Sequence, residues 1–376
     1  MKTTFLHTSD FQIGMRRWWL DAEAEPRFAN DRIQAIRRVH DLALQFGCDF
    51  IVVAGDFFDA NSLSMQTILR VKEELKRLKI PAVFVAGNHD PLTADSMYGE
   101  IEGMDNVVVA RDNTPFEVVP GVEVVAAPLK VKRADSDLVA AAIEGLEPSA
   151  TIRIAVGHGQ AESRSNDIRP DEISLSLVEQ RICEGAIDFL ALGDTHSAQP
   201  VGSSGKVWFS GSPEATDFRN LQTGGGENNS GNALVVAIEK TGAEEASVSV
   251  SEHQVGQWTF EEHTSLVNSL EDAKAFVETL ERYPDKRNTA IRYSLQGVVN
   301  LETSQYLEDE LTRLEEVFAA LYEHERFMDM QVVPDDGEVN NLGLSGFAVR
   351  ALEELHQRED DTARNAAKLL LRLGRK

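Results

Sequence analysis

Residues 82–90, Ala-Val-Phe-Val-Ala-Gly-Asn-His-Asp, decide how the rest of the chain is interpreted. A short uninterrupted apolar run is typical of a strand that is buried on both faces. The glycine after it predicts a turn, and that turn carries an amide, an imidazole and a carboxylate side by side. We therefore expect a functional site at the carboxyl end of this strand.

The same arrangement recurs through the first 200 residues. Short apolar runs end at polar clusters, and segments with the apolar spacing of a helix face lie between them. This alternation predicts an α/β fold in which helices pack on the strands. The apolar runs end at Ser9-Asp10, Gly55-Asp56, Gly87-Asn88, Gly157-His158 and Gly193-Asp194.

Carboxylate, amide and imidazole side chains follow these strands. Because such groups gather beyond the carboxyl ends of parallel strands, we expect them to lie close together. They suit Mn²⁺, Mg²⁺, Fe or Zn²⁺, and two such ions could hold the attacking and leaving oxygens of a phosphoryl transfer. The candidate set is Asp10, Gln12, Asp56, Asp59, Asn88, His89, Asp90, His158, Asp194 and His196.

The ordered motifs resemble those of the calcineurin-like metallophosphoesterases and, among these, the SbcD-type DNA repair exonucleases. The resemblance implies a two-sheet sandwich flanked by helices, with a small α/β cap domain and a C-terminal helical segment. It also implies a phosphodiesterase in which two divalent metal ions activate a water for attack on phosphorus. The matching stretches are His7–Asp10, Gly55–Asp59, Gly87–Pro91, Gly157-His158 and Ser210–Glu214.

The resemblance also assigns roles to individual residues. Asp56 would bridge the two metal ions. Asp10 and His196 would bind the first ion, while Asn88 and His158 would bind the second.

Two further residues would act on the substrate, and two positions depart from the family pattern. His89 would protonate the leaving oxygen or stabilise the phosphorane, and Asp90 would orient it. Gln12 and Asp194 stand where the family usually has histidines, and both would still bind metal. Because one change adds a carboxylate and both remove an imidazole, we expect Mn²⁺, with Mg²⁺ as the alternative, over Zn²⁺.

The second half of the chain predicts a different organisation. We expect a nuclease domain over 1–260, a cap-like domain over 261–333 and a helical segment over 334–376 that could dock a partner. The elements predicted after residue 260 are a helix at 266–281, a strand at 290–296, a long helix at 303–325 and a strand at 329–333.

Basic residues occur in two short stretches near the motifs. Arg16, Arg17 and Trp18 follow the first motif and are candidates for substrate binding, since Arg can hold phosphate and Trp can stack on a base. The alternative is that the tryptophans pack under a loop. Lys132 and Arg133 belong to a second basic stretch, which a solvated loop would also explain.

The formal net charge of −25 limits how the protein could bind DNA. Contact with DNA would need a local basic patch, the metal ions or a partner, because the whole chain repels nucleic acid. The resemblance implies an SbcC-like, SMC-family ATPase as that partner, and leaves a homodimer open. Composition predicts a cytoplasmic protein without a membrane segment. A DNA nuclease is the first hypothesis; a small-molecule phosphodiesterase or phosphatase, or a non-catalytic binding subunit, are the alternatives.

Overall fold

The computed structural model describes residues 1–162, 169–243, 246–333 and 346–356, together with residues 358, 362, 363, 366, 369 and 370. The predicted C-terminal segment, 334–376, lies partly outside these residues. Its described part includes a helix at Gly346–His356.

Eighteen strands and seven longer helices make up the described part of the chain. The strands are β1 (Lys2–Thr8), β2 (Phe50–Ala54), β3 (Ala82–Val85), β4 (Val107–Val109), β5 (Phe116–Val119), β6 (Val122–Ala127), β7 (Ile152–His158), β8 (Phe189–Gly193), β9 (Gln199–Val201), β10 (Val207–Phe209), β11 (Arg219–Asn220), β12 (Gly225–Gly226), β13 (Asn232–Glu239), β14 (Ser247–Gln254), β15 (Thr259–Leu266), β16 (Thr289–Val299), β17 (Ala320–Glu323) and β18 (Asp329–Val332). The helices are α1 (Ala24–Gln45), α2 (Met65–Leu75), α3 (Leu138–Ile143), α4 (Leu175–Cys183), α5 (Leu270–Glu281), α6 (Leu301–Glu315) and α7 (Gly346–His356).

Two six-stranded sheets form the first half of the fold. Their strand orders are β14-β13-β1-β2-β3-β4 and β5-β6-β7-β8-β10-β9. An apolar layer with residues from both sheets fills the core, and in it Phe5 stacks on Phe50 at 5.2 Å while Phe189 meets Phe5 edge to face. Helix α1 supplies apolar residues to a second cluster on the outer face of the first sheet. The predicted α/β sandwich flanked by helices is confirmed.

Parallel pairing brings the motif-bearing strand ends together. Strands β1, β2 and β3 are parallel neighbours in one sheet, and β7 and β8 are parallel neighbours in the other. Each of the five is followed by one of the predicted polar clusters. Because the carboxyl ends of parallel strands lie at the same edge of a sheet, the polar turns of both sheets lie at that edge of the sandwich.

A second compact unit consists of residues 218–225 and 259–376, and the first unit holds 1–217 and 226–258. The second unit has its own sheet, β12-β11-β15-β16-β17 with β18 beside β16, and its own apolar core against α5 and α6. Whether 261–333 and 334–376 are separate domains stays a prediction.

The predicted long helix at 303–325 is wrong. Helix α6 ends at Glu315, and residues 320–323 form strand β17, which pairs in parallel with β16. Helical spacing continues past the true end, but Leu321 is buried in the core of this unit as part of the sheet. Pairing with a neighbouring strand thus overrides the local pattern.

His7 is a fully buried histidine near the carboxyl end of β1. Its ring meets Phe189 edge to face at 6.2 Å, between the two sheets. Burial lowers the pKa of His7 to about 3, so the ring stays neutral in the folded protein. This environment makes its role structural.

We expect His7→Leu to remove part of the acid sensitivity of the fold. A depressed pKa in the folded state contributes stability above the unfolded value of about 6.5, and that contribution is lost as the pH falls toward 3. At about pH 5 the wild type should lose about 2 kcal/mol of unfolding free energy that the variant retains. Urea unfolding in EDTA at pH 5 and pH 7.5 measures this, with His253→Leu as the control. Equal pH dependence in wild type and His7→Leu would contradict the prediction.

Candidate metal centre

The loops after β1 and β2 are joined backbone to backbone. The amide of Asp10 donates to the carbonyl of Gly55 at 3.0 Å, and the amide of Gln12 donates to the carbonyl of Asp56 at 2.9 Å. These bonds continue the parallel pairing beyond the strands. Two loops that would otherwise be independent therefore form one rigid edge.

Strained backbone conformations concentrate at this edge. Among the described residues other than glycine, positive φ angles occur at Asp10 (53°), Gln12 (44°), Asp56 (50°) and Asp194 (99°), and otherwise only at Asn106. Such conformations are unfavourable for residues with a Cβ and persist where surrounding structure enforces them. Four predicted metal ligands share this feature, which supports a functional role for the edge.

Two glycines leave room for the side chains of His158 and Asp56 to pack against the turns after β2 and β3. Gly55 has φ 93°, and a Cβ there would lie 2.1 Å from Nδ1 of His158. A Cβ on Gly87 would lie 2.2 Å from Oδ1 of Asp56. These two glycines are thus required by the packing of the site.

Three buried side chains form the centre of the site. Potential ligand atoms of Asp10, Asp56 and His158 all lie within 4.8 Å of one another. Nε2 of His158 is 3.4 Å from Oδ2 of Asp56 and 2.8 Å from Oδ1 of Asn88. Nδ1 of His158 lies 2.9 Å from the carbonyl of Ala54, to which it can donate, and this leaves Nε2 facing the carboxylates.

The remaining predicted ligands surround this centre. Nε2 of His196 lies 3.7 Å from Oδ1 of Asp10 and 3.0 Å from Nε2 of Gln12. Asp194 places Oδ1 3.8 Å from Nε2 of His158, and its amide donates to Asp10 at 3.1 Å. The structure thus brings all seven predicted ligands to one place.

The site concentrates negative charge where water is excluded. Burial raises the pKa of Asp10 and of Asp194 above the ordinary aspartate range. Burial disfavours a charged His158, but the carboxylate of Asp56 outweighs it and holds the pKa of that imidazole well above its usual value. The same pairing overcomes desolvation at Asp56 and lowers the pKa of its carboxyl. The neighbouring carboxylates thus stabilise positive charge within the site, and divalent ions would supply that charge.

Unpartnered atoms indicate that the donor set fits metal ions. Oδ1 of Asp10 and Oε1 of Gln12 are buried and accept no hydrogen bond within the described residues. Buried oxygens normally have a partner, so two neighbouring exceptions suggest a ligand. A set of carboxylate and amide oxygens with two imidazoles suits two hard divalent ions.

The expectation that Asp90 orients His89 is wrong in this structure. The buried carboxylate of Asp90 accepts from the amides of Gly87 (2.7 Å) and Phe58 (3.0 Å) and from the hydroxyl of Tyr98 (2.8 Å). It therefore holds the turn that carries Asn88 and His89.

Asp59 takes the place beside His89 instead. Nδ1 of His89 lies 3.0 Å from the main-chain oxygen of Asp59 and 3.8 Å from its carboxylate. The amide of His89 also donates to Oδ1 of Asp56 at 2.9 Å, which ties the histidine to the metal site. The ring itself is 38% exposed, so substrate can reach it.

Glu227 is a site residue that sequence reasoning missed. Its carboxylate lies 2.7 Å from Nδ1 of His196 and accepts from the amide of Thr216 at 2.8 Å. A carboxylate on the outer nitrogen of a metal-binding histidine fixes the ring and increases its basicity. No spacing in the glycine-rich stretch around Glu227 could have indicated this contact.

The three candidate substrate-binding residues occupy different environments. Arg16 is exposed and lies 3.5 Å from Glu25, and the ring of Trp18 is exposed. Arg17 is half-buried, and its Nε donates to the carbonyl of Thr216 at 2.9 Å. Arg17 therefore supports the loop behind His196, and only Arg16 and Trp18 present their side chains largely to solvent.

Comparison with known proteins agrees with this geometry. Residues 3–219 match the family described as calcineurin-like phosphoesterases, which is more than half of the chain. The chain belongs to the calcineurin-like phosphoesterase family. The matched region contains every predicted metal ligand.

Individual relatives of this phosphoesterase are distant. It is 30% identical to "Uncharacterized metallophosphoesterase YhaO" of Bacillus subtilis over 30% of this chain and 29% of that protein. It is 32% identical to "DNA double-strand break repair protein Mre11" of Archaeoglobus fulgidus, over 29% of this chain and 25% of that protein. The Saccharolobus solfataricus protein of the same name is 25% identical over 41% of this chain and 40% of that protein. The matches thus span well under half the length of these relatives.

A solved dimetal phosphatase from Danio rerio overlaps 65% of this chain and 98% of its own at a TM-score of 0.38 and 11% identity, too distant to bear on function. No helix among the described residues is long and apolar enough to cross a membrane.

We expect Glu227→Gln to weaken metal binding. The amide cannot stabilise positive charge on His196, so affinity for Mn²⁺ should fall about tenfold or more by titration calorimetry. The matched control is Glu262→Gln in the second unit, which removes the same kind of contact, 2.5 Å from Nδ1 of His324. If both variants bind Mn²⁺ as tightly as wild type, Glu227 does not support the site.

Proposed function

We propose that this phosphoesterase is a metal-dependent phosphodiesterase that cleaves DNA. The observation that carries the proposal is the cluster of Asp10, Asp56 and His158, which share one buried centre beside the half-exposed His89. A phosphodiester needs charge neutralisation at phosphorus and a proton for the leaving oxygen. Metal ions held by this cluster would supply the first, and His89 would supply the second. Similarity to proteins named for DNA double-strand break repair supports DNA as the substrate.

The side chains would divide the chemistry between them. When bound, two divalent ions would polarise the phosphoryl group and supply a nucleophile at neutral pH. His89 has Nδ1 against the main-chain oxygen of Asp59, so that Nε2 is the ring atom available to donate a proton to the leaving oxygen. The Asp59 carboxylate lies 3.8 Å from Nδ1, so its negative charge acts on the same ring.

Negative charge in the site affects which metal ion binds, and the net charge of the chain affects how the protein could bind DNA. With Asp10, Asp56 and Asp194 near only two imidazoles, the site should prefer Mn²⁺ or Mg²⁺ over Zn²⁺. A chain at −25 binds DNA poorly through its overall field, so an SbcC-like ATPase that supplies basic surface belongs to the proposal. The same charge favours the main alternative, a phosphodiesterase acting on a small molecule.

Cleavage of DNA should depend on added metal and on the turn after β3. We expect digestion of end-labelled DNA with Mn²⁺, none with EDTA, and a loss of about 10²-fold or more in Asn88→Ala and His89→Ala. Asn88→Ala should also bind less Mn²⁺, whereas His89→Ala should bind as much as wild type, because only Asn88 is placed to donate an oxygen.

A chromogenic phosphodiester, assayed in parallel, separates the two hypotheses. Turnover of this compound without cleavage of any DNA would favour a small-molecule enzyme. Absence of both activities with no bound metal would leave the non-catalytic alternative.

Substitution of Asp59 and substitution of Asp90 should affect different properties of the protein. Asp59→Asn keeps the main-chain contact to His89 but removes the charge, so kcat should fall about tenfold with metal affinity unchanged. Asp90→Asn places an amide among three donors, so the free energy of unfolding should fall by about 2 kcal/mol. Kinetics and urea unfolding of both variants test this. A stable but inactive Asp90→Asn beside a fully active Asp59→Asn would reinstate Asp90 as the partner of His89.

A further inference from the structure

We propose that a pocket beside the metal site binds a second phosphate group of the substrate, next to the phosphodiester that is cleaved. The cations that would hold this phosphate are Lys132, Arg133 and Arg169. The proposal rests on the proposed phosphodiesterase function and specifies its substrate as one with at least two neighbouring phosphates.

The pocket opens directly from the metal centre. It has a volume of about 240 Å³, and Asn88, His158 and Asp194 line its inner side. The loop after β6 and the residues before α4 line its outer side. A group held here is therefore adjacent to the scissile phosphate.

The three cations are free to bind an anion. Lys132, Arg133 and Arg169 are exposed, and none forms an ion pair within the part of the chain that the structure describes. Three carboxylates line the same pocket, namely Asp171, Glu172 and Asp194. Asp194 belongs to the predicted metal site on the inner side, so the outer side carries three positive charges and two negative ones. Such a local excess is notable in a chain with a net charge of −25.

The chemistry of the lining favours phosphate. Guanidinium groups bind phosphate oxygens in pairs, and lysine adds a point charge. Ser136 and Gln160 also line the pocket and offer neutral donors. The three exposed cations on the outer side would repel a metal cation there, so an anionic part of the substrate is the better occupant.

The size of the pocket limits what can enter. Its volume lies below the roughly 300–1,000 Å³ of sites for drug-sized ligands. A double helix, whose major groove alone is about 12 Å wide, is far larger than this space. The pocket therefore accommodates only a part of the substrate, such as a strand end or the second phosphate of a small molecule.

The test compares substrates with one and with two phosphates. Bis(p-nitrophenyl) phosphate has only the scissile group, whereas a 5′-phosphorylated thymidine dinucleotide carries a second phosphate. In the double variant Lys132→Ala/Arg133→Ala, kcat/KM for the dinucleotide should fall about tenfold more than kcat/KM for the nitrophenyl ester. Cleavage of the dinucleotide should depend less steeply on salt concentration in the double variant than in the wild type. The variant makes fewer contacts with phosphate, so salt has fewer contacts to weaken.

Lys130→Ala is the matched control. Lys130 is a basic residue of the same loop that does not line this pocket, so its removal should not distinguish the two substrates. Bound Mn²⁺ and near-ultraviolet circular dichroism verify that each variant is folded. An equal effect of the double variant on both substrates, or no effect, overturns the inference. A wild type that hydrolyses neither of these compounds nor end-labelled DNA refutes the proposed function itself.

Two further substrates identify the source of the second phosphate. A single-stranded oligothymidylate represents nucleic acid, and diadenosine tetraphosphate represents small polyphosphates. A larger loss of kcat/KM on the oligonucleotide assigns the pocket to a DNA strand. A larger loss on diadenosine tetraphosphate assigns it to a small molecule, and no loss on either contradicts the pocket's role.

Discussion

Repulsion between buried carboxylates is the constraint on which the rest of this structure depends. Asp10 and Asp56 hold oxygens within 4.8 Å of each other, and both side chains are almost inaccessible to water. Such an arrangement is unfavourable without compensating positive charge. The backbone bonds between the two loops, the positive φ angles and the neighbouring glycines all hold these carboxylates against that repulsion.

The two sheets of the sandwich supply the predicted metal ligands from two directions. Asp10, Asp56 and Asn88 come from strand ends of one sheet, whereas His158 and Asp194 come from the other. Stacking of Phe5 on Phe50, with Phe189 against them, fixes the two sheets behind the site. Packing in the apolar layer is thus what sets the distances between ligands several residues away.

Sequence patterns could predict the main features of the site because strand ends obey a simple geometric rule. Apolar runs followed by Asp10, Asp56, Asn88, His158 and Asp194 were sufficient to place these groups at one edge. Contacts that depend on loop conformation had no such signal. Glu227 reaches His196 across 31 residues, and the choice between Asp59 and Asp90 depends on where one turn directs its carboxylates. Helix α6 ended early for a similar reason, since strand pairing is not encoded in local spacing.

The path of the chain between its two units makes them difficult to separate. The chain leaves the first unit after Asp217, pairs β11 with β15 of the second, and returns at Gly226. Thr216 and Glu227, which hold His196, stand immediately before and after this excursion. Truncation at residue 258 would leave residues 218–225 without their strand partner, directly beside those two supports. The unit that carries the metal site is therefore not a module that can be excised or exchanged at a single junction.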